Sequence, residues 1–173
     1  RMISAEPAHI LPDVLAPGLA VVFCGTAAGT VSARRGAYYA GPGNRFWPVL
    51  HRIGLTDRRL APHEFTRVLD CGIGLTDIVK LAHGSDQSLR ASDFDAGGLR
   101  EKIERFAPRF LAFNSKKAGQ AFLGRALAYG EQTERIGTTR LFVLPSTSGA
   151  ASGHWDETAW QAFAGIVRAE DRC

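Results

Sequence analysis

Residues 25–29, Gly-Thr-Ala-Ala-Gly, are the first candidate for a chemical site. They follow the apolar run Val-Val-Phe-Cys at residues 21–24, which predicts a buried strand. A turn of residues with little or no side chain lets a ligand approach the backbone closely. The turn lacks the Gly-Lys-Ser/Thr ending of a P-loop and the third glycine of a dinucleotide fingerprint. We therefore predict a binding turn without a nucleotide cofactor.

Two adjacent tyrosines, Tyr38 and Tyr39, follow in the segment Gly-Ala-Tyr-Tyr-Ala-Gly-Pro-Gly. A segment so rich in glycine predicts an irregular loop rather than a periodic helix face. Loop tyrosines often cover the edge of a core, and we expect one of the pair to do so. Adjacent loop aromatics can also stack on a planar ligand such as a base. The pattern leaves both roles open.

The surrounding chain predicts an α/β fold with a parallel sheet. Continuous apolar runs alternate with amphipathic segments, which is typical of parallel strands covered on both faces. Ligands in such folds bind beyond the carboxyl ends of the strands. The predicted strands are residues 21–24, 109–114 and 139–144, and the main helices are residues 95–106, 115–123 and 157–169. We expect the loops 25–30, 114–117 and 145–154 to converge on one cleft.

The remaining segments give weaker patterns. Asn44 is predicted to cap a helix that ends at Gly54. The other predictions are an irregular segment at 34–43, a short helix at 63–69, a glycine-interrupted apolar segment at 71–79 and a loop at 80–90.

The totals fit a single globular domain. The 173 residues are 45% hydrophobic and 22% charged. We predict a loose N-terminal lead-in over residues 1–12 and one domain over 13–173. The apolar stretches are too short to span a membrane, and three separated cysteines favour a reducing interior without a disulfide or a metal site. A net charge of +4 permits a polyanionic partner without requiring one.

Five ordered blocks of the sequence resemble the mismatch-specific uracil-DNA glycosylases and the related thymine-DNA glycosylases. They are VVFCGTAAG, GAYYAGPGNRFWPVLHRIGLT, CGIGLTDIV, RFLAFNSKKA and LFVLPSTSG. The resemblance implies a three-layer α/β/α domain around a short, mainly parallel sheet. It also implies hydrolysis of the N-glycosidic bond of uracil or a related damaged base, after the nucleotide is flipped into a pocket. No metal or organic cofactor is implied.

The resemblance fails at one important position. The family's turn usually carries an asparagine that positions the attacking water, and Ala27 stands there instead. Asp77 is our candidate for the missing role, because a carboxylate near the sugar can activate water or stabilise positive charge. The alternative for Asp77 is a helix N-cap, since Thr-Asp before an apolar run commonly starts a helix. A catalytically inactive binder of damaged DNA is the alternative for the whole protein.

Three further residues are weaker candidates for acid or base chemistry. Asp86 lies in a polar loop and is the second candidate acid, although an Asx-type turn explains it as well. His83 and His154 qualify on residue type alone. We expect His83 on the loop surface and His154 near a phosphate or the sugar.

The resemblance also implies which residues bind the base. Tyr39 matches the aromatic that stacks on the base, and the backbone groups of Thr26 and Tyr39 would contact the pyrimidine edge. Ala27 and Gly29 complete the base-binding turn. Asn44 would brace the pocket loop.

The DNA itself is expected to contact two other segments. Ser115 and Lys116 suit phosphate binding at a helix start. Ser146 and Ser148 are also expected to contact the DNA. The loop Gly149-Ala150-Ala151-Ser152 would insert into the duplex, although two alanines fill a vacated base position poorly. We expect a monomer that acts on uracil-containing DNA inside the cell, in the cytoplasm of a bacterium or in a nucleus.

Overall fold

One mixed sheet organises the structure. The computed structural model describes residues 8–170, apart from the side chain of Ser152. In this part of the chain five strands pair in the order β2-β1-β3-β5-β4. They are β1 (Val21–Gly25), β2 (Ile73–Asp77), β3 (Phe110–Phe113), β4 (Gly130–Ile136) and β5 (Thr139–Val143). All neighbours are parallel except β4, which runs antiparallel to β5.

Helices cover both faces of this sheet. The α-helices are α1 (Thr30–Arg35), α2 (Phe46–Arg52), α3 (Ala96–Phe106), α4 (Lys116–Leu123) and α5 (Glu157–Glu170). Short 3₁₀ helices occupy Pro62–Cys71, Asp86–Ser88, Ala91–Asp93 and Gly149–His154. Side chains alternate along a strand, so neighbouring residues of β1 pack into different cores on the two faces of the sheet. Phe23 packs with Trp160 in one core, and Cys24 packs with Ile103 in the other. The predicted three-layer α/β/α fold is confirmed.

Several predictions from the sequence were wrong or incomplete. Residues 34–35 belong to α1 and are not irregular. This six-residue helix lacks the apolar periodicity that would identify it. Strand β4 was missed because it is a polar edge strand, in which mainly Gln132 and Ile136 are buried. The apolar segment at 71–79 contains β2, and Asp77 is the last residue of that strand, so its helix N-cap interpretation was wrong.

The described part of the predicted lead-in packs against the domain. The Ile10 N–H donates to the Lys80 carbonyl at 2.7 Å, and Leu11 is buried. Val14 then pairs with Leu75 of β2. The rest of the lead-in lies outside the described residues. Within residues 8–170 no helix is long and apolar enough to cross a membrane.

Candidate active site

A cleft of about 820 Å³ opens beyond the carboxyl ends of the parallel strands. The strand register places Gly25 beside Asp77, and Cys24 beside Phe113. Loops that leave the strands at this level must therefore meet. The predicted convergence of the three small-residue loops is confirmed, because residues of all three line the cleft.

Most of the predicted site residues lie on the wall of this cleft. Those lining it are Thr26, Ala27, Gly29, Tyr39, Asn44, Asp77, Ser115, Ser146, Ser148, Gly149, Ala150 and Ala151. Lys116 does not line it. This exposed lysine lies at the start of α4, with its ammonium 4.5 Å from the centroid of the Tyr129 ring.

Asp77 lies at the bottom of the cleft with only 5% of its surface exposed. A Cβ on Gly25 would lie 2.6 Å from the Asp77 Oδ1 and 3.1 Å from the Tyr39 hydroxyl. Residue 25 therefore has to be glycine for both groups to approach the turn. Burial raises the pKa of Asp77 to about 6, against the lowering effect of the Lys80 charge. The carboxyl group thus titrates close to neutral pH.

Tyr39 faces Asp77 across the same turn. Its ring stacks on Phe46 with centroids 4.0 Å apart, and the residue lines the cleft. Its φ of 54° is unusual for a residue other than glycine and aims the side chain into the cleft. The hydroxyl is buried, and no group among the described residues meets hydrogen-bond geometry with it, although the Asn114 side chain lies near enough to lower its pKa. Burial and the Asp77 charge raise its pKa, so the phenol remains a proton donor.

The turn after β1 is held by its neighbours on both sides. The Thr26 carbonyl accepts a 2.8 Å hydrogen bond from the Val79 N–H. The Thr26 and Ser115 hydroxyls lie 3.2 Å apart and share a hydrogen bond. Ala27 presents only a methyl group, so the turn contributes backbone groups and the Thr26 hydroxyl to the cleft.

The second candidate acid, Asp86, occupies the outer edge of the cleft. It is exposed and belongs to the 3₁₀ helix Asp86–Ser88. Burial against the cleft wall raises its pKa, and the Lys117 charge and the Thr26 hydroxyl oppose that rise. The structure therefore places Asp77 at the bottom of the cleft and Asp86 at its outer edge.

Only one of the two candidate histidines lies at the cleft. His154 is exposed and lines the cleft. His83 is exposed, is not among the lining residues, and forms a backbone bridge with Ala28.

Two polar residues of the predicted site also stabilise the helices they precede. The Asn44 Oδ1 accepts the Phe46 N–H at 3.0 Å, at the start of α2. The Ser115 Oγ accepts the Ala118 N–H at 3.1 Å and caps α4. Both side chains are thereby held in place on the cleft wall.

The loop after β5 packs closely against the glycine-rich loop. A Cβ on Gly149 would lie 3.1 Å from the Pro42 carbonyl oxygen, so glycine permits this contact. Within the loop, the Ser146 hydroxyl accepts the Ser148 N–H, and the Ser148 hydroxyl accepts the Ala150 N–H. Ala150 is exposed at the edge of the cleft.

Sequence analysis missed a buried pair on the cleft wall, Asn114 and Thr147. The Asn114 Nδ2 donates to the Thr147 Oγ1 at 2.8 Å, and the Thr147 N–H donates to the Asn114 Oδ1 at 3.1 Å. The pair ties the end of β3 to the loop after β5. A polar residue directly after an apolar strand was the signal for Asn114. Among the described residues no cluster of three or more acidic, histidine or cysteine side chains could hold a metal.

Comparisons with known proteins identify the family to which the chain belongs. The family model of the uracil DNA glycosylase superfamily matches residues 12–164. The fold is similar to a solution NMR structure from Methanosarcina acetivorans that is provisionally described as a uracil DNA glycosylase. The TM-score is 0.61 and 27% of residues are identical, over 94% of this chain and 98% of that chain.

The chain belongs to the uracil DNA glycosylase superfamily. It is accordingly a DNA glycosylase, a hydrolase whose substrate is DNA. The particular branch that the sequence motifs resemble, mismatch-specific or thymine-DNA glycosylase, stays a prediction.

Proposed function

We propose that the protein removes uracil and related deaminated bases from DNA, with Asp77 assisting the attack of water. The observation that carries the proposal is the buried Asp77 carboxylate at the bottom of the cleft, beside Gly25 and the buried Tyr39 hydroxyl. A pKa of about 6 leaves this carboxylate mainly ionised at pH 7. It is then able to accept a proton from water or to stabilise a cationic sugar.

The proposed reaction follows from these groups. The target nucleotide leaves the duplex and its base enters the cleft, where the Tyr39 ring supports it. The glycosidic C–N bond breaks and its electrons pass to the base. The water oxygen bonds to the sugar C1′, and the water proton passes to Asp77.

The cleft lining supports a monofunctional enzyme. Within residues 8–170 no lysine lines the cleft, whereas a covalent intermediate with the sugar would need an amine there. Water is therefore the proposed nucleophile, and no cofactor takes part.

The edge of the cleft supports contact with the DNA backbone. The α4 N-terminus presents Ser115 beside the exposed Lys116, and cations and backbone N–H groups at such positions bind phosphate. Ala150 and Ala151 provide little bulk to fill the position of a flipped base. We therefore propose weak reading of the opposite base. We also propose that the protein acts as a monomer and inside the cell, where its DNA substrate is located.

An inactive binder of damaged DNA is the second candidate function. One observation favours it: Ala27 places a methyl group where the resembled family carries its water-positioning asparagine. Tight binding to uracil-containing DNA without any base release would support this alternative.

Single-turnover excision assays test the proposal. The substrates are labelled oligonucleotides with uracil opposite guanine, uracil opposite adenine, uracil in a single strand, and hypoxanthine opposite thymine. We expect base release from at least one uracil substrate and a loss of about 10²- to 10⁴-fold in Asp77→Asn. Asp86→Asn is the matched control at the other cleft carboxylate. An Asp77→Asn enzyme as fast as the parent would remove Asp77 from the mechanism.

A further inference from the structure

The cleft tyrosine Tyr39 has a backbone conformation that its residue type does not favour. Its φ of 54° lies in the left-handed region, which bulky side chains rarely adopt. Such a conformation persists only where the surrounding structure holds it. A relaxation to negative φ would move the ring from its place between Phe46 and the turn at Gly25. Neighbouring groups must therefore hold the backbone on either side of Tyr39.

Two buried hydrogen bonds fix the peptide groups on the two sides of the Tyr39 Cα. The Trp47 Nε1–H donates to the Tyr38 carbonyl at 2.9 Å, which holds the peptide before Tyr39. The Ala40 N–H donates to the Ser32 Oγ at 2.9 Å, which holds the peptide after it. Because peptide groups are planar, the orientations of these two planes determine φ and ψ of Tyr39.

Burial makes both hydrogen bonds difficult to break. Trp47 is 3% exposed and Ser32 is 5% exposed, and their partners Tyr38 and Ala40 are buried as well. A buried peptide group without a partner is costly, so rotation of either plane would lose a bond that water does not replace. Tyr38 is also held by its side chain, because its hydroxyl donates to the Pro12 carbonyl at 2.9 Å.

We infer that Trp47 and Ser32 are positioning residues that hold Tyr39 in its left-handed conformation and thereby aim its ring into the cleft. The reaction proposed above assigns no role to either residue. The catalytic part of the inference rests on the proposed support of the base by Tyr39. If the two hydrogen bonds only stabilised the loop, their loss would lower the stability of the protein without moving the ring.

NMR of the tyrosine rings in the full chain tests the inference without relying on activity. The chain has three tyrosines, and Tyr39→Phe assigns the ring signals of Tyr39. Stacking on Phe46 shifts these signals through the ring current. We expect Ser32→Ala and Trp47→Phe to move them toward the values of free tyrosine, whereas the signals of the exposed Tyr129 should not change.

Thr139→Val is the matched control for the loss of one buried hydrogen bond. The Thr139 hydroxyl donates to the Pro108 carbonyl at 2.5 Å, at the start of β5 and thus at the end of the sheet opposite the cleft. This variant should lose stability and keep the parent's Tyr39 ring signals.

A folded Ser32→Ala or Trp47→Phe protein with the parent's Tyr39 ring signals overturns the role of the residue that was changed. If Trp47→Phe does not fold, Ser32→Ala decides alone, because it removes a single oxygen atom.

A double-mutant cycle on single-turnover excision tests whether the two residues act through Tyr39. We expect Ser32→Ala and Trp47→Phe each to slow excision by about 10- to 100-fold, because small displacements of a group at the substrate have effects of this size. In a Tyr39→Ala background the same changes should cost less than about threefold, since the ring that they position is gone. Undiminished losses in that background contradict the inference.

The same variants separate this inference from the proposed function. If Tyr39→Ala excises uracil as fast as the parent, the proposed support of the base fails, and the ring signals still decide the conformational role of Trp47 and Ser32. If Tyr39→Ala is slow but Ser32→Ala and Trp47→Phe match the parent in rate and ring signals, only the inference fails.

Discussion

The floor and the rim of the cleft differ in how far water reaches them. We define the floor as Gly25, Tyr39, Asp77 and Asn114, and the rim as Asp86, Ser115, Ser148 and Ala150. The floor residues are buried or half-buried, whereas the rim residues are half-buried or exposed. The two regions therefore place similar chemical groups in different dielectric surroundings.

The two cleft acids, Asp77 and Asp86, illustrate the effect of this difference. Burial raises the pKa of both Asp77 and Asp86, but Asp77 is buried and its pKa reaches about 6, while Asp86 is exposed and the Lys117 charge opposes the rise of its pKa. Charges in a desolvated site interact strongly, and exposed charges are screened by water and salt. We therefore expect chemistry to depend on the floor and DNA affinity to depend on the rim.

The largest expected effect concerns stability at the floor. The pKa of Asp77 is about 6 in the folded protein, above its ordinary 3.8. A raised folded pKa means that stability is present at low pH and is lost as pH rises from about 4 through 6. We expect Asp77→Asn to be about 3 kcal/mol more stable than the parent at pH 8, and the difference to vanish below pH 4.

Urea denaturation at pH 4 and pH 8 measures this effect. Asp86→Asn is the control, and as an exposed site it should change stability by less than about 0.5 kcal/mol. An Asp77→Asn protein no more stable than the parent at pH 8 would show that the floor carboxylate is not strained by burial.

The next effect concerns the geometry of the floor. In Gly25→Ala the new methyl group would lie 2.6 Å from the Asp77 Oδ1, so the carboxylate must move. We expect a loss of about 10²-fold in the single-turnover rate, because small displacements of a reacting group have effects of this size. Binding to undamaged DNA, measured by fluorescence anisotropy, should stay the same. Gly165→Ala is the control, since Gly165 does not line the cleft and a Cβ there meets no atom within 4 Å.

A smaller effect is expected from the rim carboxylate. Asp86→Asn removes a charge that is exposed and opposed by Lys117. We expect the excision rate at pH 7 to change by less than about tenfold. A residue that acts as a general acid or base typically contributes about 10²-fold or more to the rate, so a change this small is not that of a catalytic acid or base. A loss as great as that of Asp77→Asn would exchange the roles of the two acids and end the distinction between floor and rim.

The smallest effect concerns a single exposed cation. Lys116→Ala should weaken DNA binding several-fold and reduce the slope of log K against log salt by about 1, as expected for one lost phosphate contact. The rate at saturating enzyme should not change. Arg59→Ala is the matched control, because Arg59 is exposed and does not line the cleft. Equal salt slopes for Lys116→Ala and the parent would remove Lys116 from the DNA contact.

The regular parts of the fold were predictable because their patterns are local. Apolar runs predicted β1, β3 and β5, and amphipathic spacing predicted α3 and α5. Strand β4 was not predictable in this way, since an edge strand such as Gly130–Ile136 exposes one side and keeps polar residues. Helix α1 was missed because six residues are too few to show a period.

The family resemblance suggested a candidate acid near the small-residue turn, and by itself the sequence determined the α/β class and the three converging loops. These features depend on residue type and on spacing along the chain. Only the tertiary structure decided that Asp77 ends a strand at the cleft floor, that the buried Tyr39 hydroxyl lies beside the same turn, and that Asn114 pairs with Thr147. Burial and hydrogen bonding arise between residues as far apart in sequence as Ile53 and Arg168, 115 positions, and folding alone brings such groups together.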